Sequence, residues 1–293
     1  MRKKVLIFGG TGMLGQEIFS LYTGDSVYDI IAPSHREVDF LDKEKLTHYI
    51  LDVNPEYIIN AVAYNAVDTC EEDDTEYEKA LFLNKEIPQL LASISKKIGA
   101  VFVHFSTDYV FGKNSKEAGG FSEDALPKPD CRYGQSKYEG EEAVKEIGGN
   151  FYIIRLSRLF GRPAAGSGKK SFFETMLELS KIKNELQAVG DEISCFTYAP
   201  DLALATKQLI ESNSSYGIYH LINEGEASWF TGLQELFSIS KIATPLTSVQ
   251  GSAFKRKAKR PQYSALANTK RAKLPSYKDA LKDFIKSRDI SLL

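Results

Sequence analysis

Tyr133 and Lys137, in the run Tyr133-Gly134-Gln135-Ser136-Lys137, set a phenol and an ammonium four residues apart. On a helix that spacing puts both groups on one face. A phenol with its ordinary pKa of about 10 exchanges protons poorly at neutral pH. A neighbouring ammonium stabilises the phenolate and lowers that pKa. The pair can then protonate a carbonyl oxygen as hydride reaches its carbon. Taken alone, Tyr-x-x-x-Lys also describes a solvated helix face. Upstream, the run Phe105-Ser106-Thr107-Asp108-Tyr109-Val110-Phe111-Gly112 follows an apolar stretch. There Thr107 can donate to a carbonyl oxygen on which negative charge develops, and Asp108 can accept from substrate hydroxyls. The plain alternative is a Ser/Thr/Asp turn with Thr107 as its cap.

A third feature lies at the N-terminus, Gly9-Gly10-Thr11-Gly12-Met13-Leu14-Gly15, directly after a short apolar run. Glycines at 9, 12 and 15 allow a tight turn, a close approach of backbone to a pyrophosphate, and close helix–strand packing. The helix that follows offers free N–H groups and a positive dipole end to the anion. The strand–turn–helix context favours a dinucleotide cradle over a purely structural glycine turn. After the second apolar run the chain reads Ala32-Pro33-Ser34-His35-Arg36. It has no acid for a ribose 2′-hydroxyl, while Arg36 can meet a 2′-phosphate, so NADP(H) is expected and NAD(H) stays open. Arg36 could equally be a solvated charge paired with Glu37.

Positioning these groups requires a sheet. Residues 5–8, 28–32, 57–61 and 101–105 read as strands whose unbroken hydrophobicity fits a parallel sheet covered on both faces. Helices are expected over 13–22, 43–51 and 75–98, with Pro88 bending the last. Further helices fall at 133–147, 171–183, 200–212, 228–240 and 277–287, and strands at 152–156 and 216–222. The alternation implies an α/β, Rossmann-like, doubly wound parallel sheet with a smaller C-terminal α/β substrate lobe. The cofactor domain is expected over residues 1–160, with 190–222 returning to it. The lobe covers 161–189 and 223–275, and a terminal helix covers 276–293.

The chain has 293 residues, 43% hydrophobic and 26% charged, with a net charge of −2. These values exclude disorder and fibrous repeats. Charge balance weighs against a nucleic-acid partner. Three separated cysteines, Cys70, Cys131 and Cys195, give neither a disulfide framework nor a zinc site and suit the cytoplasm. No apolar stretch approaches the roughly 20 residues of a membrane span. His35, His48, His104 and His220 show no ligand spacing, and His104 reads as a core histidine. The basic run at 255–260 sits in the presumed lobe, where Arg260 could clamp a diphosphate.

These residues resemble the extended short-chain dehydrogenase/reductase superfamily, and more closely the dTDP-4-dehydrorhamnose reductase family. The likeness covers nearly the whole chain. It runs through the glycine turn and Asn54-Pro55-Glu56-Tyr57-Ile58-Ile59-Asn60-Ala61 to Ala63-Tyr64-Asn65-Ala66-Val67-Asp68 and Ser106–Phe111. It continues through Tyr133–Lys137, Thr197-Tyr198-Ala199, Ser228-Trp229-Phe230 and Arg260-Pro261-Gln262-Tyr263-Ser264. The resemblance implies reduction of a nucleotide-activated 4-keto-6-deoxy sugar, dTDP-4-dehydrorhamnose first among them, to complete a dTDP-linked deoxysugar.

By motif match Tyr133 is the proton donor, Thr107 and Asp108 meet the sugar, and Lys137 binds cofactor. Gly12, Met13 and Leu14 line the pyrophosphate, Asp39 and Phe40 approach the adenine, and Ala63, Tyr64 and Asn65 flank the cofactor. Some members hold a metal between subunits through Glu clusters. Glu17 matches one such position, the others cannot be placed, and no metal is expected; a homodimer is compatible with the family. The family's Arg-Thr-Ser-Trp stretch reads Arg155-Leu156-Ser157-Arg158 here. Arg158 either faces a more polar sugar or pairs with a local acid and leaves the contact to Phe160. Phe196 replaces a usual Pro, and the loop 162–170 is longer. Two other readings stay open: another nucleotide-sugar reductase or epimerase of the same fold, or a non-catalytic nucleotide-sensing subunit like the regulatory subunit of methionine adenosyltransferase.

Overall fold

Val5 and Ile7 face one side of the first strand and Leu6 and Phe8 the other, and all four are buried. That double burial makes the strand a central one, as its unbroken hydrophobicity predicts. The structure is a computed structural model that describes residues 2–113, 115–212 and 214–290. Six strands form its main sheet: β1 (Lys3–Phe8), β2 (Tyr28–Ile31), β3 (Tyr57–Asn60), β4 (Val101–Thr107), β5 (Phe151–Leu156) and β6 (Gly217–His220). Their order is β2-β1-β3-β4-β5-β6 and every pairing is parallel. β1 takes β2 on one side and β3 on the other, so the direction of winding reverses beside β1. Open parallel sheets bind ligands at such a reversal, beyond the carboxyl ends of the strands.

Helices cover both faces. In chain order they are α1 (Met13–Tyr22), α2 (Lys43–Val53), α3 (Val67–Glu72), α4 (Asp74–Leu81), α5 (Ile87–Ile98), α6 (Arg132–Ile147), α7 (Phe172–Leu179), α8 (Ala199–Glu211), α9 (Trp229–Ile239) and α10 (Tyr277–Ile290). Leu14 and Ile18 of α1 and Leu202 and Leu209 of α8 cover one face. Leu46 and Ile50 of α2, Leu91 of α5 and Val144 of α6 cover the other. The helix expected over 75–98 is two helices joined by a π-helical turn, Phe82–Glu86, with Pro88 in the first turn of the second. α3, which the sequence reading omitted, lies between β3 and α4.

A second apolar cluster gathers Phe160, Phe173, Phe196, Leu233, Leu236 and Phe284 from α7, α9, α10 and the strands between. Phe284 reaches Phe160 edge-on at 5.7 Å between ring centres, which anchors α10 there. Of residues 190–222, α8 packs on α1 and β6 completes the main sheet, whereas Ile193–Cys195 pairs with Glu226–Ser228. The last three residues of the terminal helix expected to 293 lie outside the described residues.

Candidate active site

The glycine turn folds as its spacing requires. Gly9 has φ of +84° and its carbonyl accepts from Gly12 N at 2.9 Å. A Cβ on Gly15 would stand 2.0 Å from that carbonyl, and one on Gly9 3.0 Å from the Ala61 backbone. No side chain caps α1 and no acid occupies its first turn. Its first N–H groups, at Met13, Leu14 and Gly15, are therefore those an anion can use. Arg36 lies in an exposed turn beyond β2, and among the described residues no ion pair holds it. The pairing with Glu37 does not form, because that carboxylate accepts from Ser34 N at 2.8 Å and Ser34 Oγ at 2.7 Å. Asp39 is exposed with Oδ1 accepting from Leu41 N at 2.9 Å, and Phe40 stands edge-on to Phe8.

Ala63, Tyr64 and Asn65 follow β3, next to the turn that follows β1. Tyr64 N donates to Asn84 Oδ1 at 2.9 Å, and Asn84 Nδ2 donates to the Tyr64 carbonyl at 3.0 Å and to Ser136 Oγ at 2.9 Å. Fully buried Asn84 thus joins the loop after β3 to α6, the helix carrying Tyr133 and Lys137. Sequence reasoning missed it. It sits in the π turn, a distortion that often marks functional sites, and Pro88 was its available signal. A Cβ on Gly140 would fall 1.9 Å from the Asn84 carbonyl, so α6 needs glycine there to lie this close. Asn65 Oδ1 accepts from Lys169 Nζ at 2.8 Å, and Gly166 N donates to the Thr11 carbonyl at 3.1 Å. The loop 161–170 therefore touches both the turn after β1 and the loop after β3.

Thr107, Tyr133 and Lys137 come together at the carboxyl end of β4. Thr107 shares a hydrogen bond with the Tyr133 phenol, and Lys137 Nζ donates to the Phe105 carbonyl at 2.6 Å. Burial holds the phenol above its ordinary pKa, and the Thr107 hydrogen bond works in the opposite direction. Burial also lowers the Lys137 ammonium to about 8, against the attraction of Glu141. The phenol is therefore raised, not lowered as the Tyr-x-x-x-Lys spacing suggests, because burial outweighs any help from the Lys137 ammonium in the chain without ligand. His104 is buried on β4, its Nδ1 paired with Asn60 at 3.3 Å, and burial keeps it neutral well below its ordinary pKa. It is the core histidine the sequence suggested.

The residues expected to meet a substrate are more tightly held than the sequence implies. Asp108 is buried; Oδ2 accepts from Ser194 Oγ at 2.8 Å and Ser264 Oγ at 2.6 Å, and Oδ1 from Thr107 at 3.2 Å. Protein hydroxyls thus occupy positions that the sequence reading gave to substrate hydroxyls. Arg158, at φ of +39°, donates to the Ala227 and Glu192 carbonyls, both at 2.8 Å, and stacks 4.4 Å from the Trp229 ring centre. It pairs with carbonyls rather than with a local acid. Phe160, the other candidate for that contact, is buried in the second apolar cluster. Arg260 donates to Asp68 Oδ2 at 2.6 Å and to the Ala258 carbonyl at 3.0 Å. Elsewhere in the basic run, Lys257 meets Glu72 at 2.5 Å and Arg256 pairs with Glu192. Glu17 is engaged by Arg162 at 2.9 Å, and no group of metal-ligating side chains forms among the described residues. Nor is any described helix long and apolar enough to cross a membrane.

Residues 2–290 match the family model described as the RmlD substrate binding domain. The spore coat polysaccharide biosynthesis protein SpsK of Bacillus subtilis is 35% identical over 90% of this chain and 89% of its own. The dTDP-4-dehydrorhamnose reductase of Burkholderia thailandensis is 32% identical over 90% of each chain. The crystal structure of dTDP-4-dehydrorhamnose reductase from Bacillus anthracis in complex with NADP superposes with a TM-score of 0.90. It is 31% identical, covering 98% of this chain and all of that one.

Proposed function

From the premise that this chain belongs to the RmlD substrate binding domain family, we propose that it is an NADP(H)-dependent reductase of a nucleotide-activated 4-keto-6-deoxy sugar, with dTDP-4-dehydrorhamnose as substrate. The single observation that carries the mechanism is the meeting of Thr107, Tyr133 and Lys137 at the end of β4, two strands from the glycine turn.

The residues present fit a dinucleotide. The turn at 9–15 packs its own backbone so closely that a Cβ on Gly15 would strike the Gly9 carbonyl, and α1 presents uncapped N–H groups. Arg36, free of any ion pair among the described residues, suits a 2′-phosphate, while Asp39 and Phe40 would border the adenine. Ala63, Tyr64, Asn65 and Lys137 would complete the cofactor side. NADPH, when bound, supplies the hydride.

The chain's own groups handle the proton. Tyr133, kept protonated by burial, gives its phenolic proton to the substrate carbonyl oxygen. The Thr107 hydroxyl, whose one proton goes to Asp108 in the chain without ligand, would turn that proton to the same oxygen as charge develops on it. The Lys137 ammonium offsets the charge of the phenolate left behind. Asp108 fixes Thr107 from one side, and Arg158 and Arg260, held by the Ala227 and Glu192 carbonyls and by Asp68, would supply positive charge towards a nucleotide diphosphate. We assign the protein to the cytoplasm, where its three buried thiols stay reduced, with a homodimer as its assembly and neither nucleic acid nor membrane as partner.

Steady NADPH oxidation with dTDP-4-dehydrorhamnose, and its loss in Tyr133→Phe, tests this reading. An epimerase would regenerate its cofactor and show no net oxidation. An unchanged rate in Tyr133→Phe would overturn the assignment of the proton donor.

A further inference from the structure

Phe105, Ser106 and Thr107 follow one another at the end of β4, and each is held by a different residue of α6. Lys137 takes the Phe105 carbonyl, Ser106 Oγ donates to Glu141 Oε1 at 2.5 Å, and Thr107 bonds the Tyr133 phenol. Residues 133, 137 and 141 are spaced by four, so they line up on the helix face turned to the sheet. The first and third ties involve groups already given a part in the reaction. The middle one does not.

Glu141 and its main partner, Arg155 of β5, are both buried. Arg155 Nε and Nη2 donate to its two oxygens at 2.9 and 2.6 Å, a bidentate clasp. Ser106 and Arg155 are register partners across β4 and β5, so one carboxylate binds two adjacent strands to the helix. An apolar pair of similar volume would stabilise such a position about as well, so stability alone does not call for these charges.

We propose that Glu141 is a positioning residue for the reduction: it fixes α6 on the end of β4 and keeps the buried Lys137 side chain an ammonium. The proposal rests on Tyr133 and Lys137 being the reacting pair.

The surroundings single Glu141 out as the counter-charge. On α6 itself, Tyr133 is held protonated by burial. On β4, His104 is neutral, and Asp108 is spent on Thr107, Ser194 and Ser264. On β5, Arg155 carries the same charge as Lys137 and shares the Glu141 carboxylate with it, so it cannot itself be the counter-charge. On β6, His220 is pushed down to about 3 by burial and then by Arg155, and is neutral. Burial acts to strip the proton from Lys137, and the charge of Glu141 opposes it.

The test uses the full chain and two variants. Glu141→Gln removes the charge and keeps the shape. Because it leaves Arg155 buried without a counter-ion, Glu141→Leu/Arg155→Met is made alongside it. Two quantities are followed against pH. One is kcat for NADPH-dependent reduction. The other is the lysine Cε NMR signal of the cofactor-free chain, with Lys137 assigned by its absence in Lys137→Arg.

The expected result is that the alkaline limb and the Lys137 midpoint both fall by about one pH unit, with kcat at pH 8 lower by about fivefold. A limb and midpoint that superpose on the wild type in a folded variant overturn the proposal. Failure of both variants to fold also overturns it, since the pair is then structural. Tyr133→Phe separates the two readings. If that variant is inactive while the Glu141 variants keep the wild-type profile, Glu141 has no such role. If Tyr133→Phe keeps full activity, the reacting pair itself is misassigned.

Discussion

Asp68, just after β3, and Arg260, in the basic loop far along the chain, meet at 2.6 Å. The same carboxylate accepts from Lys257 N at 3.0 Å and Ala258 N at 3.1 Å, so one side chain gathers the whole loop onto α3. Burial raises the Asp68 pKa, but Arg260 and the backbone donors outweigh it and hold the carboxyl below its ordinary range. Its folded-state pKa being depressed, the tie is present above the ordinary carboxylate range. It is lost only as pH falls through the lowered value.

This tie defines the first prediction. Asp68→Ala frees the loop and should raise KM for the nucleotide sugar about tenfold, the equivalent of one hydrogen bond to a charged group. kcat should change little, because Asp68 touches none of the reacting groups. Steady-state kinetics at varied sugar concentration reads this split. A KM equal to the wild type would show that the loop's position does not matter for binding.

Lys137 supplies the second. It is buried and its pKa is lowered from 10.5 to about 8, chiefly by desolvation. Between those values the unfolded chain binds the proton that the folded chain has lost, so stability rises with pH across that window. Below about pH 8 the buried ammonium costs on the order of 3 kcal/mol. Lys137→Met should therefore abolish turnover yet match or exceed the wild type in stability at pH 7. That advantage should shrink as pH rises from 8 toward 10.5. Urea unfolding of both proteins at several pH values measures it, and a constant difference would contradict the assigned desolvation.

What could be read in advance was local. The glycine turn, the Tyr133–Lys137 spacing and the strand rhythm each reside in a few neighbouring residues whose geometry follows from backbone periodicity. The omissions were long-range. Asp108 meets Ser194 and Ser264, 86 and 156 residues further on, and nothing near Asp108 signals those hydroxyls. Arg158 finds its carbonyls at Glu192 and Ala227, so the local acid that the sequence invited one to seek is not its partner. Glu141 reads as one more helix charge until β5 brings Arg155 to it. The π turn at 82–86 keeps helical composition throughout, so only Pro88 hinted at a change.

Third, the turn itself can be tested by adding one carbon. On Gly15 a Cβ would strike the Gly9 carbonyl at 2.0 Å, whereas on Gly12 it would lie 3.2 Å from the same atom. Gly15→Ala must displace backbone, at a cost of about 1–3 kcal/mol, and should weaken NADPH binding by more than tenfold. Gly12→Ala needs only a few tenths of an ångström of adjustment and should retain far more affinity. Fluorescence titration of NADPH into both variants decides the matter. Equal affinities would mean that the dinucleotide does not use this turn.

Arg36 carries the last prediction, on the choice between the two reduced cofactors. It stands exposed beyond β2 with no ion pair among the described residues, while the nearby Glu37 is committed to Ser34. A guanidinium in that position can form charge-assisted hydrogen bonds to a 2′-phosphate, each contributing about 1.5–3 kcal/mol. Arg36→Ala should therefore raise the Kd for NADPH by roughly 10- to 100-fold. Binding of NADH, which has a hydroxyl in place of the phosphate, should stay within about twofold, since no charged bond is lost. Raising the salt concentration should narrow the gap between wild type and variant for NADPH, as an exposed ion pair is screened. Parallel titrations with the two cofactors at low and high salt provide the measurement. Equal losses for both would place Arg36 away from the 2′ position and leave the cofactor preference to other residues.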